Sequence, residues 1–309
     1  MGTPYPMPID PSKTRIGFIG IGVMGAAMAS RLISAGYNLS FYARNPSNPN
    51  SLSLQSKGAT LSPSISALSQ SSNILFTMVG HPSDVRSLYL DGPHSIISSL
   101  NPNSVTVDTT SSHPDLARQI FSAARQRSSW SVDAPVSGGD IGARDGKLAI
   151  FAAGDRDVVE WLQPLFSVMG KATYMGGAGC GQSCKIANQI TIGGNLVGIS
   201  EGLVFAKRVG LDLEKFVEAV REGAAGSKAM ELFAGRMIAR DFRPGGYAEY
   251  QVKDLGMGVD VVEGGDDESC VVLPGAAICK QIFQSMVANG DGKLGGQGVI
   301  TVIERINGM

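Results

Sequence analysis

Short apolar runs alternate with helical periodicity through the first half of the chain. Thr14–Gly20 is a brief, mainly apolar run of the kind a buried parallel strand shows. Further strand-like runs fall at Asn38–Tyr42, Ser72–Val79, Ser104–Thr109, Ser131–Ala134 (with Trp130) and Lys147–Ala153. Helical patterns lie between most of them: about Val23–Ala35, with Gly36 as its stop, then Ser83–Leu90 and Pro114–Arg127. The serine-rich patch at 62–72 reads as a solvated helix with its flanks. This alternation predicts a parallel sheet covered by helices on both faces. After about Met175 the pattern changes. Gly176–Gly179 marks the transition, and long helical segments follow at Gln182–Val209, Leu213–Glu222, Lys228–Ala239, Ala248–Val262 and Gly275–Ala288. No convincing strand run occurs there, and no fixed-period repeat is present. The expected division is an α/β domain over residues 1–178 and an all-α domain over 179–309, joined by a long helix.

Composition narrows the classes of function. A chain of 309 residues suggests two domains more readily than one. The formal net charge of −1 argues against a nucleic-acid or membrane-surface partner, which demands a basic excess. The apolar stretch Ile186–Ser200 contains Asn188, Gln189 and Asn195 and is too short to span a membrane. The segment Met1–Lys13 has neither a signal-peptide core nor an Arg-rich amphipathic pattern, and Pro6 disrupts a myristoylation signal after Gly2. The chain reads as cytoplasmic, with the mitochondrial matrix as the alternative if a presequence has been removed. Cys180, Cys184, Cys270 and Cys279 lack metal-ligand spacing and read as reduced thiols, so no metal site is expected; Cys180 and Cys184 read as small buried residues. His81, His94 and His113 read as loop residues.

Glycine is abundant, at 40 residues, and three of them make a motif. Gly20-Ile21-Gly22-Val23-Met24-Gly25 fits G-x-G-x-x-G, directly after a strand and directly before a helix. In that setting Gly20 permits the tight turn, Gly22 lets a pyrophosphate reach the backbone, and Gly25 lets helix pack on strand. The helix N-terminus offers free N–H groups and the positive end of its dipole to the phosphates. The α/β domain is therefore expected to be a Rossmann-like dinucleotide-binding domain; the alternative is a tight turn with no ligand. Met78 and Val79, at the end of the third strand-like run, are counted with the cofactor residues. At the end of the second strand, where an NAD enzyme places an acidic residue, the chain has Phe41-Tyr42-Ala43-Arg44-Asn45. A guanidinium grips the 2′-phosphate of NADP, so Arg44, helped by Asn45 and Ser47, favours NADP(H), with NAD(H) as the alternative.

Two further segments carry candidate chemistry. Asp133-Ala134-Pro135-Val136-Ser137-Gly138-Gly139 follows the fifth strand. Pro135 ends that strand, and Ser137 beside Gly138 and Gly139 offers a hydroxyl and backbone N–H groups suited to an anion such as a carboxylate. An ordinary glycine-rich turn is the alternative. The second segment opens the long helix: Gly179-Cys180-Gly181-Gln182-Ser183-Cys184-Lys185-Ile186-Ala187-Asn188-Gln189. Lys185, Asn188 and Gln189 share one face at i, i+3 and i+4. A lysine near a helix N-terminus sits badly against the dipole, and that field, with burial, is expected to lower its pKa toward the range of a general acid/base. Asn188 or Gln189 is then placed to hold the ammonium or a substrate oxygen. Lys253-Asp254-Leu255-Gly256 lies in a later helix and, taken alone, reads as a solvated face.

These four marks, Gly20–Gly25, Asp133–Gly146, Gly179–Gln189 and Lys253–Gly256, resemble in order and spacing the β-hydroxyacid dehydrogenase family, over about residues 15–305. That family includes 3-hydroxyisobutyrate dehydrogenases, tartronate semialdehyde reductases and glyoxylate/succinic semialdehyde reductases. The resemblance is strongest to plant sequences described as 3-hydroxyisobutyrate dehydrogenase-like. It implies that Ser137 and Gly138 bind a substrate carboxylate and that Lys185 protonates the carbonyl oxygen, or takes the hydroxyl proton in reverse. It also implies that Lys253 lines the cleft between cofactor and substrate, that Ser111 of Asp108-Thr109-Thr110-Ser111 touches the nicotinamide ribose region, and that the helical domain mediates a homodimer or homotetramer. The chain departs from the pattern at Asn188 and Gln189, where the family often has Asn at the fourth position after the lysine. It departs again at Ala43-Arg44-Asn45, commonly Asn-Arg-Thr in NADP members, and at Gly264–Ser269, which replaces a more helical stretch. The expected activity is hydride transfer between NADP(H) and a short β-hydroxyacid or semialdehyde. A catalytically silent NADP-binding scaffold and an imine reductase are the alternatives.

Overall fold

The computed structural model describes residues 8–263 and 271–309. The expectations for Gly2, Pro6, Cys270 and Gly264–Ser269 fall outside the described residues. The chain divides into two compact units between Lys185 and Ile186.

The first unit is a twisted sheet of nine strands with helices between them. In chain order it runs β1 (Arg15–Ile19), α1 (Val23–Ser34), β2 (Asn38–Tyr42), α2 (Pro49–Ser56), β3 (Thr60–Leu61), α3 (Ile65–Ser71), β4 (Ile74–Thr77), α4 (Pro82–Tyr89), α5 (Ile96–Ser99) and β5 (Val105–Asp108). It continues with α6 (Pro114–Gln126), β6 (Trp130–Asp133), β7 (Val136–Ser137), α7 (Gly139–Asp145), β8 (Leu148–Ala153), α8 (Arg156–Trp161), α9 (Gln163–Met169) and β9 (Gly170–Gly176). The spatial order is β3-β2-β1-β4-β5-β6-β8-β7, with β9 beside β8. Strands β1 to β6 pair in parallel, whereas β8 runs antiparallel to β6 and β7. The sheet is thus parallel-rich, and β8 departs from the parallel pairing that alternation alone predicts. β4, β5 and β6 are buried at every position, although Thr77, Thr106, Asp108, Ser131 and Asp133 interrupt their apolar runs. One core, containing Phe18, Met28, Phe41, Phe76 and Phe166, packs against this sheet; a second contains Leu68, Tyr89 and Ile120.

One local expectation needs correction. The serine-rich patch does form a helix, α3, but it is not simply solvated: Ser62, Ser69 and Ser72 are buried. Their hydroxyls donate to main-chain carbonyls of Ser64, Ile65 and Leu68, which is how small polar residues enter an apolar interior. His81 and His113 lie in loop segments as expected, and each is the N-cap of the helix that follows; the His113 ring accepts the Asp115 N–H.

The second unit is helical. The long helix α10 (Cys180–Arg208) begins in the first unit and continues into the second. It is followed by α11 (Leu213–Val220), α12 (Lys228–Ile238), α13 (Ala248–Glu263), α14 (Pro274–Ala288), a 3-10 turn (Gly296–Val299) and α15 (Ile300–Ile306). Leu203, Ala234, Leu255, Phe283, Met286 and Val299 are central to its core. No described helix is long and apolar enough to cross a membrane.

Candidate active site

The glycine loop between β1 and α1 is built as its sequence suggests, and the three glycines do different work. Gly20 has φ +88°, and a Cβ there would lie 2.1 Å from the Met78 carbonyl oxygen. A Cβ on Gly25 would lie 1.9 Å from the Gly20 carbonyl oxygen, so only glycine lets α1 start against the strand. Gly22 is the N-cap of α1, and a Cβ there would meet nothing within 4 Å. The first turn of α1 has no side-chain cap and no acidic residue, and Val23 is exposed. This combination, open space before an uncapped helix N-terminus, fits a dinucleotide pyrophosphate. Ile21 is buried and Met24 packs on the core, so these two anchor the loop. Asn50, which sequence reasoning passed over, donates its side-chain N–H to the Ile21 carbonyl at 2.9 Å and ties α2 to the loop.

At the end of β2, Arg44 is exposed and lines a depression of about 460 Å³ with Tyr42, Pro46, Leu61 and Pro63. Asn45 accepts the Ser47 N–H on its side-chain oxygen, which shapes the turn that presents Arg44. Beyond β4, Met78 accepts a hydrogen bond from the Thr109 hydroxyl on its sulfur, and the Val79 N–H donates to the Thr110 hydroxyl. These contacts join the ends of β4 and β5. Ser111 is half-buried in the segment that follows.

The Pro135–Gly139 segment leaves β6, forms the short strand β7 and turns into α7. Gly138 and Gly139 both have positive φ, at 132° and 62°, and Ser137 is half-buried beside them. The glycines are required by backbone conformation here, whatever they bind.

The start of α10 is held by residues distant in sequence. Asp133, buried at the end of β6, accepts the Gly179 N–H on one oxygen (2.9 Å) and the Gln182 N–H on the other (3.0 Å). A carboxylate there meets the unpaired N–H groups of the helix N-terminus. Gly181 is forced by the same approach, since a Cβ would lie 2.3 Å from the Phe151 carbonyl oxygen. Gln182 is fully buried; its side-chain oxygen accepts the Ser112 N–H and its side-chain nitrogen donates to the Thr110 carbonyl, both at 2.8 Å. Burial, and less strongly Asp108, lifts the Asp133 carboxyl to about 6 against the opposing effect of these N–H donors. Lys185 follows on the same helix and is 8% exposed. Cys180, expected to be buried, is exposed, and Cys184 is half-buried: at the head of α10 it is Gly181 and Gln182 that pack inward. Burial also raises the Cys184 thiol.

In the second unit, Asn188 donates to the Gln189 side-chain oxygen at 3.0 Å. Gln189 in turn donates to the Gln251 side-chain oxygen at 2.8 Å, and Gln251 donates back to the Gln189 carbonyl at 2.7 Å. Sequence reasoning did not single out Gln251, whose partner lies 62 positions away. Lys253 and Asp254 do not form a solvated face. Asp254 is buried, its carboxylate is 3.2 Å from the Lys253 amine, and that amine also stands over the Tyr250 ring.

A doubly wound, parallel-rich sheet with a glycine loop at its first strand defines a nicotinamide dinucleotide-binding oxidoreductase, with a helical unit after it. Two family profiles divide the chain accordingly: the NAD binding domain of 6-phosphogluconate dehydrogenase matches residues 15–177, and the NAD-binding domain of NADP-dependent 3-hydroxyisobutyrate dehydrogenase matches residues 179–303. The chain belongs to the β-hydroxyacid dehydrogenase family, in its 3-hydroxyisobutyrate dehydrogenase-like branch. It is 55% identical to probable 3-hydroxyisobutyrate dehydrogenase-like 3, mitochondrial, of Arabidopsis thaliana, over 100% of this chain and 93% of the relative. It is 34% identical to 2-hydroxy-3-oxopropionate reductase of Escherichia coli (strain K12), over 94% of this chain and 97% of that one. The fold matches that of Mycobacterium tuberculosis 3-hydroxyisobutyrate dehydrogenase with L-serine, at a TM-score of 0.84 and 24% identity, covering 94% and 99% of the two chains.

Proposed function

We propose that this protein interconverts a short β-hydroxyacid and its semialdehyde with NADP(H), and that Lys185 is the general acid/base. The observation that carries the reading is the burial of Lys185, a lysine only 8% exposed on a helix whose start is fixed by Asp133. The nicotinamide cofactor, when bound, supplies or accepts the hydride. The residues of the chain do the rest. Gly20, Ile21, Gly22, Val23, Met24 and Gly25 receive the pyrophosphate, Arg44 with Asn45 receives the 2′-phosphate, and Met78, Val79, Ser111 and Lys253 border the cofactor. Ser137, Gly138 and Gly139 hold the substrate carboxylate through a hydroxyl and main-chain N–H groups. In the reductive direction the Lys185 ammonium donates a proton to the carbonyl oxygen as negative charge develops there; in the oxidative direction the neutral amine takes the hydroxyl proton. The Asn188–Gln189–Gln251 chain fixes the amides that follow the lysine on α10.

The substrate class is supported by the names of the relatives, which are a 3-hydroxyisobutyrate dehydrogenase-like protein and a 2-hydroxy-3-oxopropionate reductase. The functional division is residues 1–178 for the dinucleotide and 179–309 for substrate and assembly, as a homodimer or homotetramer. The compartment is the cytoplasm or the mitochondrial matrix, the latter supported by the word mitochondrial in the Arabidopsis relative's name. The decisive experiment is Lys185→Ala, assayed with 3-hydroxyisobutyrate, glyoxylate and succinic semialdehyde. Turnover should fall by about 10²- to 10⁴-fold with NADPH affinity retained. Near-normal turnover rejects Lys185 as the acid/base.

A further inference from the structure

The side chain of Gln182 makes two contacts within the chain, one on each side of Ser111. Its oxygen takes the Ser112 N–H and its nitrogen donates to the Thr110 carbonyl, so one amide brackets Ser111 from both sides. The partners are 70 and 72 positions away in sequence. The main-chain N–H of the same residue goes to Asp133, which leads directly into the Pro135–Gly139 segment. One residue thereby joins three stretches, the segment after β5, the segment after β6 and the head of α10. Lys185 stands three positions further along that helix, one turn on. An apolar side chain of similar volume would leave the Ser112 N–H and the Thr110 carbonyl without these partners, and buried main-chain groups are rarely left so.

We propose that Gln182 is a positioning residue for the reaction: its bidentate grip on Thr110 and Ser112, with Asp133 on its main chain, sets where the Lys185 amine stands relative to Ser111. This rests on the reading of Lys185 as the acid/base. A misplacement of about 1 Å at such a centre costs on the order of a hundredfold in rate.

The test compares Gln182→Met, Gln182→Glu, Lys185→Ala and the double variant Gln182→Met/Lys185→Ala. NADPH affinity is measured by fluorescence titration, apart from turnover. Gln182→Met should lower kcat by about thirtyfold or more while the NADPH Kd moves less than about threefold. Added to Lys185→Ala it should lower the residual rate by less than about threefold, because it acts through an amine already removed. Gln182→Glu should recover toward wild type as pH falls, each rate taken relative to wild type at the same pH. Its protonated carboxyl again offers one donor to Thr110 and one acceptor to Ser112, and ionisation removes the donor. A purely structural role would move the melting temperature and the NADPH Kd along with kcat, and in Gln182→Glu all three would recover together, whereas a positioning role moves kcat at a nearly constant Kd. If Gln182→Met proves unfolded, Gln182→Glu decides: a kcat that falls and recovers with pH while the NADPH Kd stays within about threefold supports positioning, and a Kd that moves with kcat rejects it. Wild-type kcat in Gln182→Met, or full multiplication of its loss onto Lys185→Ala, overturns the positioning role while the acid/base reading stands. Near-wild-type turnover in Lys185→Ala overturns both.

Discussion

Asp108 and Asp133 stand opposite one another in register at the ends of β5 and β6, and both carboxylates are buried. Asp108 accepts the Thr77 hydroxyl and the Thr110 N–H, while Asp133 accepts the two N–H groups at the head of α10. The two acids therefore organise neighbouring strand outlets, where ligands collect in such sheets. Burial, with some repulsion from Asp108, moves the Asp133 carboxyl from the usual 3.8 to about 6.

That shift has a definite sign for stability. A carboxyl whose folded pKa lies above its unfolded value favours the fold while protonated. Its contribution is complete below about pH 4 and is lost as pH rises through about 6, a loss of about 3 kcal/mol. Denaturant unfolding of the wild type and Asp133→Asn should show this. The wild type should lose stability relative to the variant by about that amount between pH 4 and 7. A pH-independent difference would mean that Asp133 titrates normally.

The same carboxylate is wanted ionised for function, because only then do both oxygens accept N–H groups. kcat should therefore fall on the acid side with a midpoint near 6, and Asp133→Asn should reduce it at every pH. An unchanged acid limb in that variant would assign the limb to another group.

The glycine loop separates folding from binding. Gly25→Ala places a methyl against the Gly20 carbonyl and should destabilise the protein by about 3 kcal/mol, read by denaturant unfolding. Gly22→Ala meets no atom and should unfold within about 0.5 kcal/mol of wild type. Its NADPH affinity should nonetheless drop at least about tenfold, since the methyl occupies the space the pyrophosphate needs. Equal effects of the two substitutions on stability would contradict the geometry.

Arg44→Asp should raise the KM for NADPH by about tenfold to a hundredfold and favour NADH, because a carboxylate repels the 2′-phosphate and accepts a ribose hydroxyl. An unchanged ratio of the two cofactors would remove Arg44 from the site.

The sheet was legible where a short run is rich in β-branched and apolar residues, as at Ile74–Thr77 and Val105–Asp108. It was not legible at β9, whose residues alternate between exposed and half-buried between two glycines, nor at β3 and β7, which have two residues each. Such strands exist because a neighbour supplies a register, and a single sequence does not display its neighbours. The helix Pro49–Ser56 escaped notice for a related reason: three serines dilute its apolar stripe, and only Ser51 and Leu54 are buried. The candidate site followed the same rule. Gly20–Gly25, Ser137–Gly139 and Lys185 announce themselves by local motif. Asn50, Gln182 and Gln251 act through partners 29 to 72 positions away and carry no local signal. Cys180 was misjudged because residue type alone sets a thiol's prior for burial, whereas its place on the first turn of α10 leaves it in solvent.

The open space beside Gly22 also bears on how such a protein would decay. A descendant released from catalysis would still need small residues at 20 and 25 to keep its shape, yet nothing in the architecture would defend position 22 against a larger side chain. Loss of glycine there, with its two companions retained, would be the mark of a lineage that has kept the scaffold and given up the coenzyme; Gly22 in this chain is the opposite signature.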